Sequence, residues 1–365
     1  MKKKIVSVIL VVAMAVGCLA GCGSKEAKNE DAFYIGGIGP VTGDAAIYGT
    51  AVQNGAQIAV DEINGHQIEY NFQDDQGDPE KAANAYNTLK DWGMQVLMGT
   101  VTTGPCVSVA DLTAADNMFQ ITPSASSTDV IKNDNVFQVC FTDPAQGTKS
   151  AQYIGENNLA KKVAIIYNSS DIYSSGIEAK FVEEAANQNF EVVAEEAFTA
   201  DSKTDFSTQL QKAKDAEADL VFLPIYYTEA SIILTQADSM GYAPTFFGCD
   251  GMDGILGVKN FDTSLAEGLM LLTPFAADSK DEKTANFVSK YEEKYKDTPN
   301  QFAADAYDAI YAIKAALEEA NATPDMSASD ICDLLKDAIT KVSIDGATGS
   351  GMTWSATGEV NKDPK

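Results

Sequence analysis

Three short segments of the 365-residue chain set small polar side chains where an apolar run gives way to a helix or turn. In Met98-Gly99-Thr100-Val101-Thr102-Thr103-Gly104-Pro105, a strand ends in glycine and hydroxyl residues and a helix opens with proline at its first position. Thr103 there offers a hydroxyl beside unpaired N–H groups at a positive helix terminus, which can seat a carboxylate. Simple N-capping would account for the same threonine. Ile121-Thr122-Pro123-Ser124-Ala125-Ser126-Ser127 is a second hydroxyl-rich strand exit, able to supply a carbonyl and a hydroxyl at the same cleft. Phe247-Gly248-Cys249-Asp250-Gly251 brings an acid to a third exit, where Asp250 can face an ammonium. A serine loop and a turn aspartate are the structural alternatives for these two. Tyr173 and Tyr226 stand at strand-to-helix turns, where site roles are common, whereas the adjacent Tyr227 reads as packing. Trp92 and Trp354 lie away from the strand exits and read as structural.

What the chain lacks narrows the chemistry. It has no arginine and a single histidine, His66, in the turn Asn64-Gly65-His66. Histidine-based metal sites and metalloprotease motifs are thereby excluded. A Ser-His-Asp triad would rest on His66 alone, and no Gly-x-Ser-x-Gly elbow supports it. Without a guanidinium fork, a bound carboxylate must be held by backbone N–H groups, hydroxyls or lysine. Gly36-Gly37-Ile38-Gly39-Pro40 lacks the dinucleotide spacing and puts proline where a helix must start. Cys106, Cys140, Cys249 and Cys332 show neither C-x-x-C nor metal spacing and read mainly as small packing residues. No cofactor is expected.

The elements that must position these residues alternate along the chain. Apolar runs at 33–38, 68–72, 96–98 and 118–122 read as strands, separated by helical stretches at 48–63, after Asp78-Pro79 and at 105–116. The rhythm restarts after Asp143-Pro144, with strands at 162–167, 191–197, 220–224 and 245–248 and helices at 176–187, 206–216 and 229–240. A strand at 269–273 is expected to return the chain to the first lobe, followed by helices at 282–295, 302–320 and 327–342. Strand-helix alternation of this kind predicts an α/β fold of two Rossmann-like lobes, each a parallel sheet flanked by helices, hinged as a clamshell. The expected lobes are 33–143 plus 274–350, and 144–273, with 351–365 returning to the second. Ligands of such sheets sit beyond the carboxyl ends of the strands, so facing lobes share one cleft.

The N-terminus reads as a leader. Lys2, Lys3 and Lys4 precede an apolar run at 5–16 that is too short to span a bilayer. Leu19-Ala20-Gly21-Cys22 then resembles a bacterial lipobox, with residues 1–21 removed, Cys22 acylated and 22–32 serving as a polar tether. The fold is thus expected outside the membrane, anchored to it through Cys22. With 26 basic against 53 acidic residues, the net charge of −27 repels nucleic acid and anionic surfaces.

Several ordered motifs resemble the leucine/isoleucine/valine-binding proteins of ABC importers, which have the type I periplasmic-binding-protein fold. They are Gly39-Pro40-Val41-Thr42-Gly43 with Tyr48-Gly49, Ile121-Thr122-Pro123-Ser124-Ala125, and Phe302-Ala303-Ala304-Asp305-Ala306-Tyr307-Asp308-Ala309. The resemblance runs from about residue 33 to the C-terminus. It implies that Thr103 binds the ligand α-carboxylate, that the Ser124 carbonyl and Ser126 hydroxyl meet the α-ammonium, and that Asp250 pairs with it. Tyr48, Tyr173, Tyr226 and Phe302 fall where the family lines its cleft with aromatic residues. It further implies a monomer that captures a small amino acid, branched-chain foremost, and passes it to a membrane permease. Asp250 is one methylene shorter than the family glutamate, and the disulfide of some members has no counterpart here. Relatives usually continue with a further strand beyond Pro364-Lys365. Binding of amides, urea or aromatic acids by the same fold, or a ligand-sensing role, are the competing expectations.

Overall fold

The computed structural model describes residues 29–63 and 67–362. The leader, the Cys22 acylation site, His66 and the last three residues lie outside the described residues.

Phe33–Gly39 (β1), Ile68–Asp74 (β2), Val96–Gly99 (β3), Phe119–Thr122 (β4) and Val136–Gln138 (β5) form a parallel sheet in the order β2-β1-β3-β4-β5. A second parallel sheet joins Lys162–Asn168 (β6), Glu191–Phe198 (β7), Leu220–Leu223 (β8), Thr245–Gly248 (β9) and Met270–Leu271 (β10) in the order β10-β9-β8-β6-β7. Strands β3, β4 and β8 are buried from end to end, as parallel strands covered on both faces must be.

Ala46–Ile63 (α1), Pro79–Trp92 (α2) and Thr103–Asp116 (α3) link the first strands. Asp143–Glu156 (α4), Ile172–Ala185 (α5), Ser207–Asp215 (α6) and Tyr227–Ser239 (α7) serve the second sheet. Beyond β10, Glu282–Tyr295 (α8), Gln301–Glu319 (α9) and Ala328–Ala338 (α10) return to the first, with α9 against α1 and α10 against β3 and β4. Local chemistry sets the helix ends. The Asp78 carboxylate accepts from Lys81 N while Pro79 opens α2, and Gly93 closes it at φ 98°. Asn300 caps α9 through Ala303 N.

Two helix pairs close on glycine. A Cβ on Gly55 of α1 would lie 1.9 Å from the Ala303 carbonyl oxygen of α9, and one on Gly147 of α4 would lie 2.4 Å from that of Ile177 in α5. Backbone-to-backbone approach of this kind holds the first turn of α9 against α1, and so fixes the residues that α9 brings to the site.

The structure departs from the sequence reading in several places, among them the helix expected at 176–187, which is Ile172–Ala185, and the one expected at 327–342, which ends at Ala338. Helix α3 starts at Thr103 rather than Pro105, because Thr102 already takes the extended N-cap conformation. Strand β5 and helix α4 are additional elements between β4 and β6. The strand expected at 269–273 is two residues long and pairs with β9 as the edge of the second sheet, so the chain crosses back after it. Finally, residues 351–362 do not turn to the second sheet. The Trp354 indole donates to Gln138 O at 2.8 Å and Gln138 N donates to Gly358 O at 2.9 Å, which docks this segment on β5.

Candidate functional site

The carboxyl ends of both sheets open on one small cavity. Val101, Thr102 and Thr103 reach it after β3, Ser124 after β4, Tyr226 after β8, and Asp250 with Gly251 after β9. Tyr48 from α1, Tyr173 from α5 and Phe302 from α9 complete the wall. Seven of the eight residues singled out in the sequence therefore border one space. Ser126 does not; its hydroxyl is turned away and donates to Asp143 Oδ1 at 2.6 Å.

The aromatic residues form a continuous lining. Tyr48 lies 4.2 Å from Phe302 and edge-on to Tyr226 at 5.7 Å, while Tyr173 and Tyr226 stack at 4.9 Å. Tyr48 also ties the two sides together, since its hydroxyl donates to Gly251 O and accepts from Tyr227 N. Tyr227 is buried as expected of a packing residue, yet its hydroxyl accepts from Ile47 N at 3.2 Å and so bridges both sides as well. Thr228 Oγ1 donates to Asp44 O at 2.8 Å and Lys203 pairs with Asp44 at 2.6 Å. Phe302 belongs to the main core cluster as well as to the cavity wall.

Asp250 is held in place from three directions. The Tyr173 hydroxyl donates to Oδ1 at 2.7 Å, Asp250 N donates to Gln146 Oε1 at 3.1 Å, and Gln301 Nε2 donates to Asp250 O at 2.8 Å. Burial pushes its carboxyl up to about 6, against the pull of the Tyr173 and Gln146 side chains and the Gly251 N–H, and the nearby Asp305 charge adds to the rise. Behind it, burial raises Asp143 well above the usual carboxylate range, and Asp143 Oδ2 and Gln146 Nε2 have no hydrogen-bond partner. The Ser124 hydroxyl is committed to Val101 O at 2.7 Å and its N–H to Thr122 Oγ1 at 3.3 Å, which leaves the carbonyl of that residue for other work.

This arrangement is one carboxylate at one side of an apolar chamber, and the first turn of a helix at another. It provides an anionic contact, a cluster of N–H and O–H donors, and ring faces between them. Asp143, Gln146 and Gln301 escaped the sequence reading because each acts from a helix distant in sequence, across the molecule. Thr102 escaped it because nothing in the run Thr100-Val101-Thr102-Thr103 separates one hydroxyl from the next. The four cysteines of the described residues are unpaired and buried. Among the described residues no group of His, Cys, Asp and Glu is placed to hold a metal ion, and no helix is long and apolar enough to cross a membrane.

The sequence model for periplasmic binding proteins matches residues 32–363. The chain belongs to the periplasmic binding protein family. Among its relatives, a Leu/Ile/Val-binding protein of Rhizobium johnstonii is 30% identical over 336 residues, which cover 89% of this chain and 88% of the relative. The Leu/Ile/Val-binding protein of Escherichia coli is 26% identical over 95% of this chain and 93% of its own length. The crystal structure of the branched-chain amino acid transporter substrate binding protein from Streptococcus pneumoniae with isoleucine superimposes with a TM-score of 0.82 at 30% identity. It covers 91% of this chain and 94% of the other. A benzoate complex of a solute binding protein from R. palustris, 20% identical, shares the fold with a TM-score of 0.79 over 91% of each chain. Two parallel sheets flanked by helices are the type I architecture of these family members.

Proposed function

We propose that this family member captures a small L-amino acid with an apolar side chain, branched-chain residues foremost, and delivers it to the permease of an ABC importer. The observation that carries the reading is the buried Asp250 facing a small aromatic-walled cavity between the carboxyl ends of the two sheets. A ligand ammonium would pair with Asp250, its carboxylate would lie against the first turn of α3, and its side chain would pack on Tyr48, Tyr226 and Phe302. The Leu/Ile/Val-binding names of the relatives and the isoleucine held by the Streptococcus pneumoniae protein support the same choice.

In this reading residues 33–143 with 274–350 form one lobe and 144–273 the other, and the contacts of Tyr48, Tyr227 and Thr228 form as the lobes close on ligand. The protein works as a monomer outside the membrane, tethered through an acylated Cys22. An aromatic acid such as benzoate brings no cation, and its carboxylate would enter a chamber bordered by Asp250. Calorimetric titration with leucine, isoleucine, valine and benzoate tests the choice. A branched-chain residue is expected to bind at least a hundredfold tighter than benzoate, at about 1.4 kcal/mol per factor of ten; tighter binding of benzoate would overturn it.

A further inference from the structure

We propose that the Thr102 hydroxyl is a ligand-binding group that donates to the carboxylate of the captured amino acid. The inference rests on the amino-acid reading given above. Thr102 is the N-cap of the 14-residue helix α3, extended at φ −95° and ψ 149°, yet its side chain makes no capping bond. An N-cap threonine ordinarily accepts from the second or third N–H of its helix. Here the third position is Pro105, which has no N–H, so one of the two usual partners is missing by sequence, and the other, Gly104 N–H, is left unused by the threonine. The residue is 93% buried by its 7% exposure, and Oγ1 has no hydrogen-bond partner. A buried hydroxyl left in that state is costly, and an incoming acceptor relieves the cost.

The surroundings say which acceptor. Thr102 borders both the small inner cavity and a larger space at the cleft mouth. The mouth is lined by Asp44, Asp171, Glu229 and one cation, Lys203, which is already paired with Asp44 at 2.6 Å. The chain has no arginine. Neutral donors must therefore hold a carboxylate, and the unpaired N–H groups of Thr103 and Gly104 at the start of α3 lie beside the free Thr102 hydroxyl. The three donors together replace the missing guanidinium fork.

Thr102→Val removes the hydroxyl at nearly constant shape, and Thr102→Ser keeps it. Titrations of the full chain with leucine and with leucinamide, in which an uncharged amide replaces the carboxylate, read the effect. Thr102→Val is expected to weaken leucine by about tenfold to a hundredfold, the range of one hydrogen bond to a charged group, to change leucinamide far less, and, without ligand, to melt no lower than the parent. Thr102→Ser is expected to restore leucine binding. Unchanged leucine affinity in Thr102→Val, or an equal loss for both ligands, would overturn the assignment while leaving the amino-acid reading intact. A parent protein that binds no amino acid would overturn both.

Discussion

Replacing Asp250 by asparagine separates two effects that most site mutations confound. Asparagine keeps the shape and can still accept from the Tyr173 hydroxyl, but it removes the charge that would meet the ligand ammonium. Losing one partner of a buried charged pair costs about 2–5 kcal/mol, which at 1.4 kcal/mol per tenfold weakens binding by roughly 30-fold to several thousandfold. Without ligand the sign reverses. Burial lifts the Asp250 carboxyl from 3.8 to about 6. The ionised group therefore destabilises the empty protein by about 3 kcal/mol, at roughly 1.4 kcal/mol for each tenfold loss of acidity. The unfolded chain gives up this proton first. The destabilisation is therefore absent below pH 4, grows between pH 4 and 6, and is complete above 6. Asp250→Asn should thus be more stable than the parent at pH 8, equal to it near pH 4, and weaker in ligand binding by roughly 30-fold or more. Denaturant melts at both pH values with calorimetry of leucine or isoleucine form the assay. A variant that binds as the parent does, or that is destabilised at pH 8, would refute the reasoning.

Tyr173→Phe removes the donor to Asp250 Oδ1 and the acceptor for Gly251 N; ligand affinity should fall about tenfold, with the acid limb of its pH profile moved upward. Lys362→Met breaks the buried pair with Asp305, 2.8 Å apart and 4% and 3% exposed, and strands Asp305 beside Thr348 and Asp308; denaturant unfolding should show a loss of about 3–5 kcal/mol. Gly55→Ala forces a Cβ against the Ala303 carbonyl and should cost about 1–3 kcal/mol in the same assay, by separating α1 from α9.

The fold was legible wherever burial imposed a pattern. Strands such as β3, β4 and β8 announce themselves as apolar runs because both faces are covered, and α8 came through with its ends intact because Asp281 caps it. Helix α4 left little trace, since Ile154 is the one large apolar residue on a buried face otherwise made of Asp143, Gln146, Gly147, Ser150, Ala151 and Gly155. The three residues of β5 are too few to show a period. At the site, Thr103, Asp250 and the tyrosines were visible because strand exits are where such sheets bind ligands. The fate of Ser126 was not, because it depends on Asp143, brought beside it by the crossing between the sheets. Lys362 reads as a solvated lysine in sequence; only the docking of residues 351–362 on β5 buries it.

The most direct test of ammonium capture by Asp250 is the proton count on binding. Isoleucine titrated at pH 6 in buffers of different ionisation enthalpy reports protons exchanged per ligand. With its carboxyl near 6 in the empty site, Asp250 is half protonated there, and an ammonium beside it drives the pKa down, so about half a proton should be released per ligand bound. No exchange, or proton uptake, would contradict the account.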